Sequence, residues 1–279
     1  MRKISVDLIK EEVSRLVIQA NTDLREDILA ALKQAVKKEK HRLARRALLV
    51  IIENAKIAKK EKLPICQDTG MPVVFVKMGS EVLLKGNITA IITNAVAQAY
   101  KENFLRASIQ TDPLLRKAKP AYAPCIVHTD IVDGEKITIN LLPKGFGSEN
   151  KSRVKMLYPT ASLKNIEDFV VESVKEAGSS ACPPYIIGVG IGGTQDYAGL
   201  LAKKALLCPV DKRNKDKVLA GLERSLLKKI NVLRIGAFGF GGKSTALAVN
   251  VQAYPTHIAG LPVAVNISCH ALRSAWVTI

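Results

Sequence analysis

The sequence lacks long apolar runs, has few aromatic residues and contains no short-range metal-binding motif. No segment approaches the roughly 18 consecutive apolar residues of a membrane-spanning helix, so no membrane partner is predicted. Aromatic residues make up 5% of the chain. No zinc-finger, RRM or KH signature occurs, which removes support for the common nucleic-acid-binding modules. The sequence therefore predicts no nucleic-acid partner.

Cysteine is also scarce, and its distribution argues against a disulfide framework. The five cysteines are an odd number and are widely scattered along 279 residues. The N-terminal segment carries acidic residues inside an amphipathic pattern, unlike a secretory signal or a transit peptide. The sequence therefore predicts a cytoplasmic protein whose cysteines are thiols or metal ligands.

Acidic residues number 25 against 42 basic residues, which gives a formal net charge of +17. The excess lies mainly in residues 33–46 ("KQAVKKEKHRLARR"), with a second basic run at residues 211–217. A nucleotide- or nucleic-acid-binding protein is one reading of this charge. The basic residues follow helical patterns without interleaved aromatic residues, so a solvated surface that attracts small anions is the favoured reading.

The hydrophobic pattern predicts a mixed α/β fold in which helices cover a sheet. Residues 1–60 form a helical lead-in, interrupted at "NTD" (21–23), where Asn21 or Thr22 is predicted to cap the next helix. Apolar runs then predict strands at 73–76, 137–141, 185–189, 247–251 and 263–265. Helical spacing predicts helices at 87–105, 163–177, 195–207 and 214–230.

Two glycine-rich segments imitate nucleotide-binding motifs. Residues 188–193 ("GVGIGG") follow a strand and precede a helix, as in a dinucleotide fingerprint, but no second strand ending in an acidic residue follows. Residues 237–245 ("AFGFGGKST") resemble a P-loop. The segment after them reads as a strand rather than a helix, and no Asp or Glu follows Lys243. Nucleotide binding is therefore disfavoured at both segments.

The cysteines fall into two groups according to their surroundings. Cys125 and Cys208 lie in apolar sequence and are predicted to pack in the core. Cys66, Cys182 and Cys269 lie at irregular breaks ("PICQDTG", "SSACPPYIIG" and "NISCHALRS"), separated by 116 and 87 residues. Three distant loops of this kind could bring thiolates to one cluster, although the "DTG" segment alone also reads as an ordinary turn.

Several motifs in one order resemble a known family. They are "CQDTGMPVVF", "KGFGSENKS", "CPPYIIGVGIGGT", "GAFGFGGKSTALAV", "PTHIAGLPVAV" and "SCHALR". Over nearly the whole chain the sequence resembles the α subunit, or N-terminal domain, of the iron–sulfur class I fumarases and the related L(+)-tartrate dehydratases. The resemblance implies one catalytic domain over residues 1–279, with a helical lead-in (1–60) and an α/β cluster-binding region (61–279).

The resemblance implies a [4Fe–4S] cluster held by Cys66, Cys182 and Cys269. A cubane with three thiolate ligands leaves one iron without a protein ligand. That iron would act as a Lewis acid, binding a substrate carboxylate and hydroxyl and polarising the C–O bond that breaks during dehydration.

The resemblance also implies the roles of residues around this cluster. Gln67 and Asp68 would contact the substrate, Arg106 would pair with its second carboxylate, and Gly147 would present a backbone N–H group. Asp68 and His257 would handle protons. For His257, the alternative is a histidine packed between two apolar strands.

These implications predict a hydro-lyase that reversibly hydrates fumarate to (S)-malate. The alternative in the same class is an L(+)-tartrate dehydratase α subunit, and a nucleotide- or nucleic-acid-binding protein is the alternative of another class. Dehydration also needs a base for the C–H proton, and no further polar cluster in the chain offers one. For this missing base the resemblance implies a separate β subunit, in an assembly with two copies of each chain, and it implies a small dicarboxylate substrate.

Overall fold

The computed structural model describes the whole chain, residues 1–279. The α-helices are α1 (Val6–Thr22), α2 (Glu26–Lys38), α3 (Arg42–Glu61), α4 (Ile88–Glu102), α5 (Phe146–Glu149), α6 (Leu163–Ala177), α7 (Gln195–Ala205) and α8 (Lys217–Val232). The strands are β1 (Arg2–Ile4), β2 (Met71–Gly79), β3 (Val82–Leu84), β4 (Ile126–Val132), β5 (Ile137–Lys144), β6 (Arg153–Leu157), β7 (Tyr185–Gly193), β8 (Ala246–Thr256), β9 (Leu261–Ser268) and β10 (Ala275–Thr278). None of the helices has the length and apolar character needed to cross a membrane.

The predicted fold class is confirmed. Helices α1, α2 and α3 form the helical lead-in, and strands and helices alternate after it. The five predicted strands lie within β2, β5, β7, β8 and β9, and the four predicted helices correspond to α4, α6, α7 and α8. Each of these elements is long and has a clear buried face, which is why its periodicity is readable in the sequence.

Five strands, β1, β3, β4, β6 and β10, were not predicted. Strands β1, β3 and β10 have only three or four residues, and β4 and β6 are edge strands whose side chains are largely exposed. An exposed edge strand needs no alternation of apolar and polar residues, so its sequence carries a weak signal.

The predicted cap at Asn21 or Thr22 is wrong. Helix α1 continues through both residues, whose side chains donate to the carbonyl oxygens of Val17 and Ile18 one turn earlier. Helix α2 begins later, after Arg25, which makes no side-chain cap. Asn and Thr side chains can bond backward along a helix as well as cap its start, and here the backward bonds prevail.

The chain divides into two compact units. Unit 1 contains residues 1–24, 55–146 and 273–279, and unit 2 contains residues 25–54 and 147–272. The assignment of residues 1–279 to one catalytic domain stays a prediction.

Unit 1 is built on a four-stranded sheet in the order β10-β5-β2-β4. Strands β2 and β4 are parallel, whereas β5 runs antiparallel to β2 and to β10. Helices α1 and α4 pack together beside this sheet, and their apolar faces join those of β2 and β5 in one core. The parallel strands β1 and β3 form a separate two-stranded sheet.

Unit 2 is built on a four-stranded sheet in the order β6-β9-β7-β8. Strands β7 and β8 are parallel, and β9 runs antiparallel to β6 and β7. Tyr185, Ile187 and Val189 of β7 join a core with residues of α6 and α8. Because successive side chains of a strand point to opposite faces, Gly188 and Gly190 face the other side, where α7 packs.

The glycines of "GVGIGG" have a packing role in this arrangement. A Cβ atom at Gly188 would collide with the carbonyl oxygen of Ala202, and one at Gly190 would collide with that of Ala198. Both carbonyl groups belong to α7, so these glycines allow the helix backbone to lie directly on the strand. This contact accounts for the motif without a dinucleotide.

Candidate functional site

The loop that contains Cys66, Gln67 and Asp68 joins α3 to β2 in unit 1. The Asp68 carboxylate accepts two backbone hydrogen bonds: Oδ1 from the N–H of Gly70 at 2.9 Å and Oδ2 from the N–H of Phe146 at 2.8 Å. Gly70 has φ +76°, and a Cβ atom there would lie 2.7 Å from the backbone of Pro143. The predicted Asp-Thr-Gly turn is therefore present, and it fixes the orientation of the Asp68 carboxylate.

Two buried side chains hold this loop from within unit 1. Arg273, 2% exposed, donates from Nη2 to the backbone oxygen of Asp68 at 2.7 Å, and its buried Nε and Nη1 atoms have no hydrogen-bond partner. The Tyr100 hydroxyl donates to the backbone oxygen of Thr69 at 2.9 Å. Burial raises the pKa of Tyr100 to about 12, which keeps the phenol protonated as a donor.

A cavity of about 370 Å³ lies beside the Asp68 carboxylate in unit 1. Asp68, Gly70 and Phe146 line one part of it, and residues of the segment 108–116 line another. Gln67 and Arg106 are exposed, and neither lines this cavity. An oriented carboxylate beside a water-accessible cavity is suited to contact a polar ligand.

The two cysteines of unit 1 differ as predicted. Cys125 is 6% exposed and lies 3.4 Å from the Thr93 hydroxyl, and burial raises the pKa of its thiol. Cys66 is partly exposed in the loop before β2. A raised thiol pKa disfavours the thiolate that binds metals, so Cys66 is the better candidate ligand of the two.

Cys182 and Cys269 lie at the same end of the unit 2 sheet. Cys182 precedes β7, Cys269 follows β9, and the antiparallel register pairs Ile186 with Ser268. His270 strengthens this contact, because its backbone N–H lies 3.3 Å and its Nδ1 atom 3.0 Å from the Cys182 carbonyl oxygen. Two of the three predicted cluster ligands are therefore brought together within one unit.

The surroundings of this cysteine pair are built by neighbouring loops of unit 2. The backbone N–H of Phe238 donates to the Pro183 oxygen at 2.9 Å. The Phe238 ring meets the His270 ring edge-on at a centroid distance of 5.1 Å. Burial raises the pKa of Tyr185 to about 12, and the thiols of Cys182 and Cys269 contribute to the rise. The "AFGFGG" segment therefore packs against the loop of Cys182.

The C-terminal part of the segment 237–245 contacts a carboxylate of the protein itself, that of Glu39. The buried Glu39 carboxylate accepts from the N–H of Lys243 at 2.6 Å and from the N–H of His41 at 2.9 Å. A Cβ atom at Gly242, φ +97°, would lie within 2.8 Å of this carboxylate. The backbone N–H of Lys243, which could have met a phosphate, is thus bound to Glu39.

His257 and Gly147, the other predicted site residues of unit 2, are both exposed. His257 lies in the turn between β8 and β9, where Nδ1 accepts from the N–H of Ala259 at 3.2 Å, so the alternative of a packed histidine is wrong. Gly147 lies in α5, and a Cβ atom there would meet no atom within 4 Å. Packing within the protein therefore does not explain the glycine, which leaves room for a ligand to approach.

The donor chemistry of Cys66, Cys182 and Cys269 fits an iron–sulfur cluster. None of them forms a disulfide, and all three are at least partly exposed. Within neither unit do three His, Cys, Asp or Glu side chains form a complete metal site by themselves. Cys208, predicted to be a core residue, is only partly buried and contacts the Gln252 amide at 3.5 Å.

Comparison with known proteins gives the family of this chain. The sequence model of the fumarate hydratase (Fumerase) family matches residues 10–278. A Methanocaldococcus jannaschii protein named "Putative L(+)-tartrate dehydratase subunit alpha" is 41% identical over 274 residues, covering 96% of each chain. The L(+)-tartrate dehydratase subunit alpha of Escherichia coli K12 is 29% identical over 272 residues, 96% of this chain and 90% of its own. The chain belongs to the fumarate hydratase (Fumerase) family.

Sequence reasoning gave no role to Arg273 and Tyr100, the two side chains that hold the Asp68 loop. Arg273 lies in the quoted motif "SCHALR", and its isolation in an apolar stretch is a weak signal of a buried charge. Tyr100 belongs to the apolar face of a helix and reads as a core residue. Their partners are backbone oxygens far along the chain, which no local pattern reveals.

Proposed function

We propose that this chain is the α subunit of a hydro-lyase that uses a [4Fe–4S] cluster held by Cys66, Cys182 and Cys269. The observation that carries the proposal is the family match over residues 10–278, a range that contains every candidate ligand and site residue. The partly exposed thiols and the proximity of the Cys182 and Cys269 loops support it.

The bound cluster would supply a Lewis-acidic iron that activates the departing hydroxyl group. The protein's own residues bind and orient the substrate. Gln67 and Asp68 contact it, Arg106 pairs with a carboxylate through its planar guanidinium, and the N–H of Gly147 donates to it. The backbone donors on both Asp68 oxygens hold that carboxylate in one orientation, which lowers the entropic cost of reaching the reactive geometry.

Proton handling is assigned to Asp68 and His257. His257 is exposed, and its Nδ1 atom accepts a backbone hydrogen bond, so Nε2 is the ring nitrogen left to exchange a proton with a ligand. Arg273 takes no part in proton transfer, and it keeps the Asp68 backbone in place.

The proposed reaction is the reversible hydration of fumarate to (S)-malate. Dehydration of L(+)-tartrate is a second candidate, because relatives 41% and 29% identical carry that name. Both substrates are four-carbon hydroxy-dicarboxylates, so a family pocket could hold either. The ratio of kcat/KM for (S)-malate and L(+)-tartrate, measured with one enzyme preparation, decides between them.

A separate β subunit is part of this proposal, as is an assembly with two copies of each chain. The relatives are named as alpha subunits, which suits a chain that works with a second one. The base that removes the C–H proton is assigned to that partner. The cytoplasmic location stays a prediction.

Anaerobic purification tests the cofactor. The protein should be brown, contain about four iron atoms per chain, and lose its broad visible absorption in air. A colourless protein that takes up no iron and sulfide under reducing conditions would contradict the proposal.

A further inference from the structure

The cavity beside Asp68 has only two charged side chains among those that line it, Asp68 and Arg116. A dicarboxylate that entered the cavity would be repelled by the Asp68 carboxylate. The Arg116 guanidinium is the one cation on the wall that offsets this repulsion. It forms no hydrogen bond and no ion pair within the protein, so its donors are available to a ligand.

The segment that carries Arg116 is a loop of unit 1 that is closed by hydrogen bonds of its own. Its base is closed by two backbone hydrogen bonds between Ile109 and Ala121, of 3.0 and 2.8 Å. The Gln110 amide donates to the Ala118 oxygen at 3.1 Å across the loop. These bonds limit where Arg116 can lie, as a binding residue requires.

The turn just before Arg116 is fixed by Asp112. Its carboxylate accepts from the N–H groups of Leu114 and Leu115 at 3.1 and 3.0 Å, and its backbone oxygen accepts from the N–H of Arg116 at 3.1 Å. Arg116 ends this turn with φ +54°, in the left-handed region. Glycine or asparagine would occupy that conformation at lower cost, so the backbone does not explain the arginine.

We propose that Arg116 binds a carboxylate of the substrate inside this cavity, as a second guanidinium in addition to Arg106. The inference rests on the proposed function, which supplies the dicarboxylate. A planar guanidinium matches a carboxylate with two parallel hydrogen bonds, and a cavity of about 370 Å³ has room for a four-carbon diacid. Arg116 thereby selects diacids over monoacids of the same length.

The neighbouring Lys117 provides a matched control, because it lies on the same loop, carries the same charge and does not line the cavity. The assembled, cluster-loaded enzyme is assayed as wild type, Arg116→Ala, Arg116→Gly and Lys117→Ala. Succinate, a diacid that cannot be dehydrated, provides a second readout through its binding measured by calorimetry.

Both Arg116 variants should raise KM and the dissociation constant of succinate by about 10- to 100-fold, with a smaller change in kcat. Arg116→Gly should melt no lower than wild type, because glycine relieves the left-handed conformation. Lys117→Ala should bind as wild type does.

The outcomes distinguish a failure of the Arg116 proposal from a failure of the proposed function. If wild type dehydrates the substrate and both Arg116 variants keep its KM and its succinate affinity, the role of Arg116 is wrong and the proposed function stands. Equal losses in Arg116→Ala and Lys117→Ala would mean that general positive charge, and not this side chain, attracts the diacid. A wild-type enzyme that turns over neither (S)-malate nor L(+)-tartrate would overturn the proposed function itself.

Discussion

Arg273 donates a single hydrogen bond, from Nη2 to the backbone oxygen of Asp68 at 2.7 Å, although its side chain is buried. Its other two nitrogens have no hydrogen-bond partner. A buried guanidinium that is paired so incompletely gains little stability in return for its lost hydration. Its position against the Asp68 loop therefore suits a positioning residue better than a source of stability.

Replacing Arg273 with methionine tests this distinction. Because methionine fills a similar volume without a charge, we expect Arg273→Met to change the free energy of unfolding by no more than about 1 kcal/mol. The Asp68 loop loses its anchor, so kcat/KM of the assembled enzyme should fall by about 10- to 100-fold. Thermal melting and steady-state kinetics give the two quantities, and a folded Arg273→Met enzyme with wild-type kcat/KM would refute the positioning role.

The cysteines give a prediction about iron content. Serine at Cys66, Cys182 or Cys269 should each prevent cluster loading, because an alcohol is a poor substitute for a thiolate ligand. Cys125→Ser and Cys208→Ser are the matched controls, and both should bind iron near the wild-type level. Iron and sulfide analysis after anaerobic reconstitution makes the comparison, in which equal losses from all five variants would reject the assignment.

Replacing glycine with alanine should have opposite effects on stability at Gly190 of β7 and at Gly199 of α7. A Cβ atom at Gly190 would collide with the α7 backbone, so Gly190→Ala should lower the free energy of unfolding by about 1–3 kcal/mol. Gly199 lies within α7, and a Cβ atom there meets nothing within 4 Å, so Gly199→Ala should raise it by about 0.5–1 kcal/mol. Denaturant unfolding measures both, and equal stability of the two variants would argue against the packing role.

Asp27 in unit 2 predicts a dependence of stability on pH. Its carboxylate accepts from Arg25 at 3.0 and 2.5 Å and from the N–H of Val210 at 2.8 Å. Burial by itself raises the pKa of Asp27, but these partners outweigh burial and hold the pKa below its usual value of 3.8. The ionised form is thus favoured in the folded state, so its stabilisation is present above about pH 4 and is lost as the pH falls.

Asp27→Asn should therefore lower the free energy of unfolding by about 1–3 kcal/mol at pH 7, with a smaller difference from wild type below pH 4. Asp133→Asn, at an exposed turn, is the control and should have little effect. Urea unfolding from pH 7 to pH 3 tests this, and a difference that stays constant or grows as the pH falls would contradict the assigned pKa direction.

The sequence was informative where a pattern is local. The run around Val73–Val76 predicted β2, which the structure extends to Met71–Gly79, because a buried central strand must be apolar almost throughout. The "DTG" turn was readable for the same reason, since the Asp68 side chain and Gly70 meet within three residues.

The remaining features depend on partners that are distant in sequence. Cys182 and Cys269 are 87 residues apart, and the antiparallel register of β7 and β9 brings their loops together. The grouping of these cysteines came from their irregular context and from family resemblance, and no spacing rule could have supplied it. Arg273 and Arg116 were missed because one bonds a distant backbone oxygen and the other lines a cavity formed by separate segments.

Turnover by the cluster-loaded chain, with and without its β subunit, tests the central claim most directly. The measurement follows the interconversion of fumarate and (S)-malate, with L(+)-tartrate as a parallel substrate, under anaerobic conditions. We predict hydro-lyase activity with the partner present, its loss when the cluster is bleached in air, and no appreciable activity from the chain alone. Activity of the chain alone would contradict the division of labour between subunits, and an iron-loaded complex that acts on none of these diacids would contradict the assignment as a hydro-lyase.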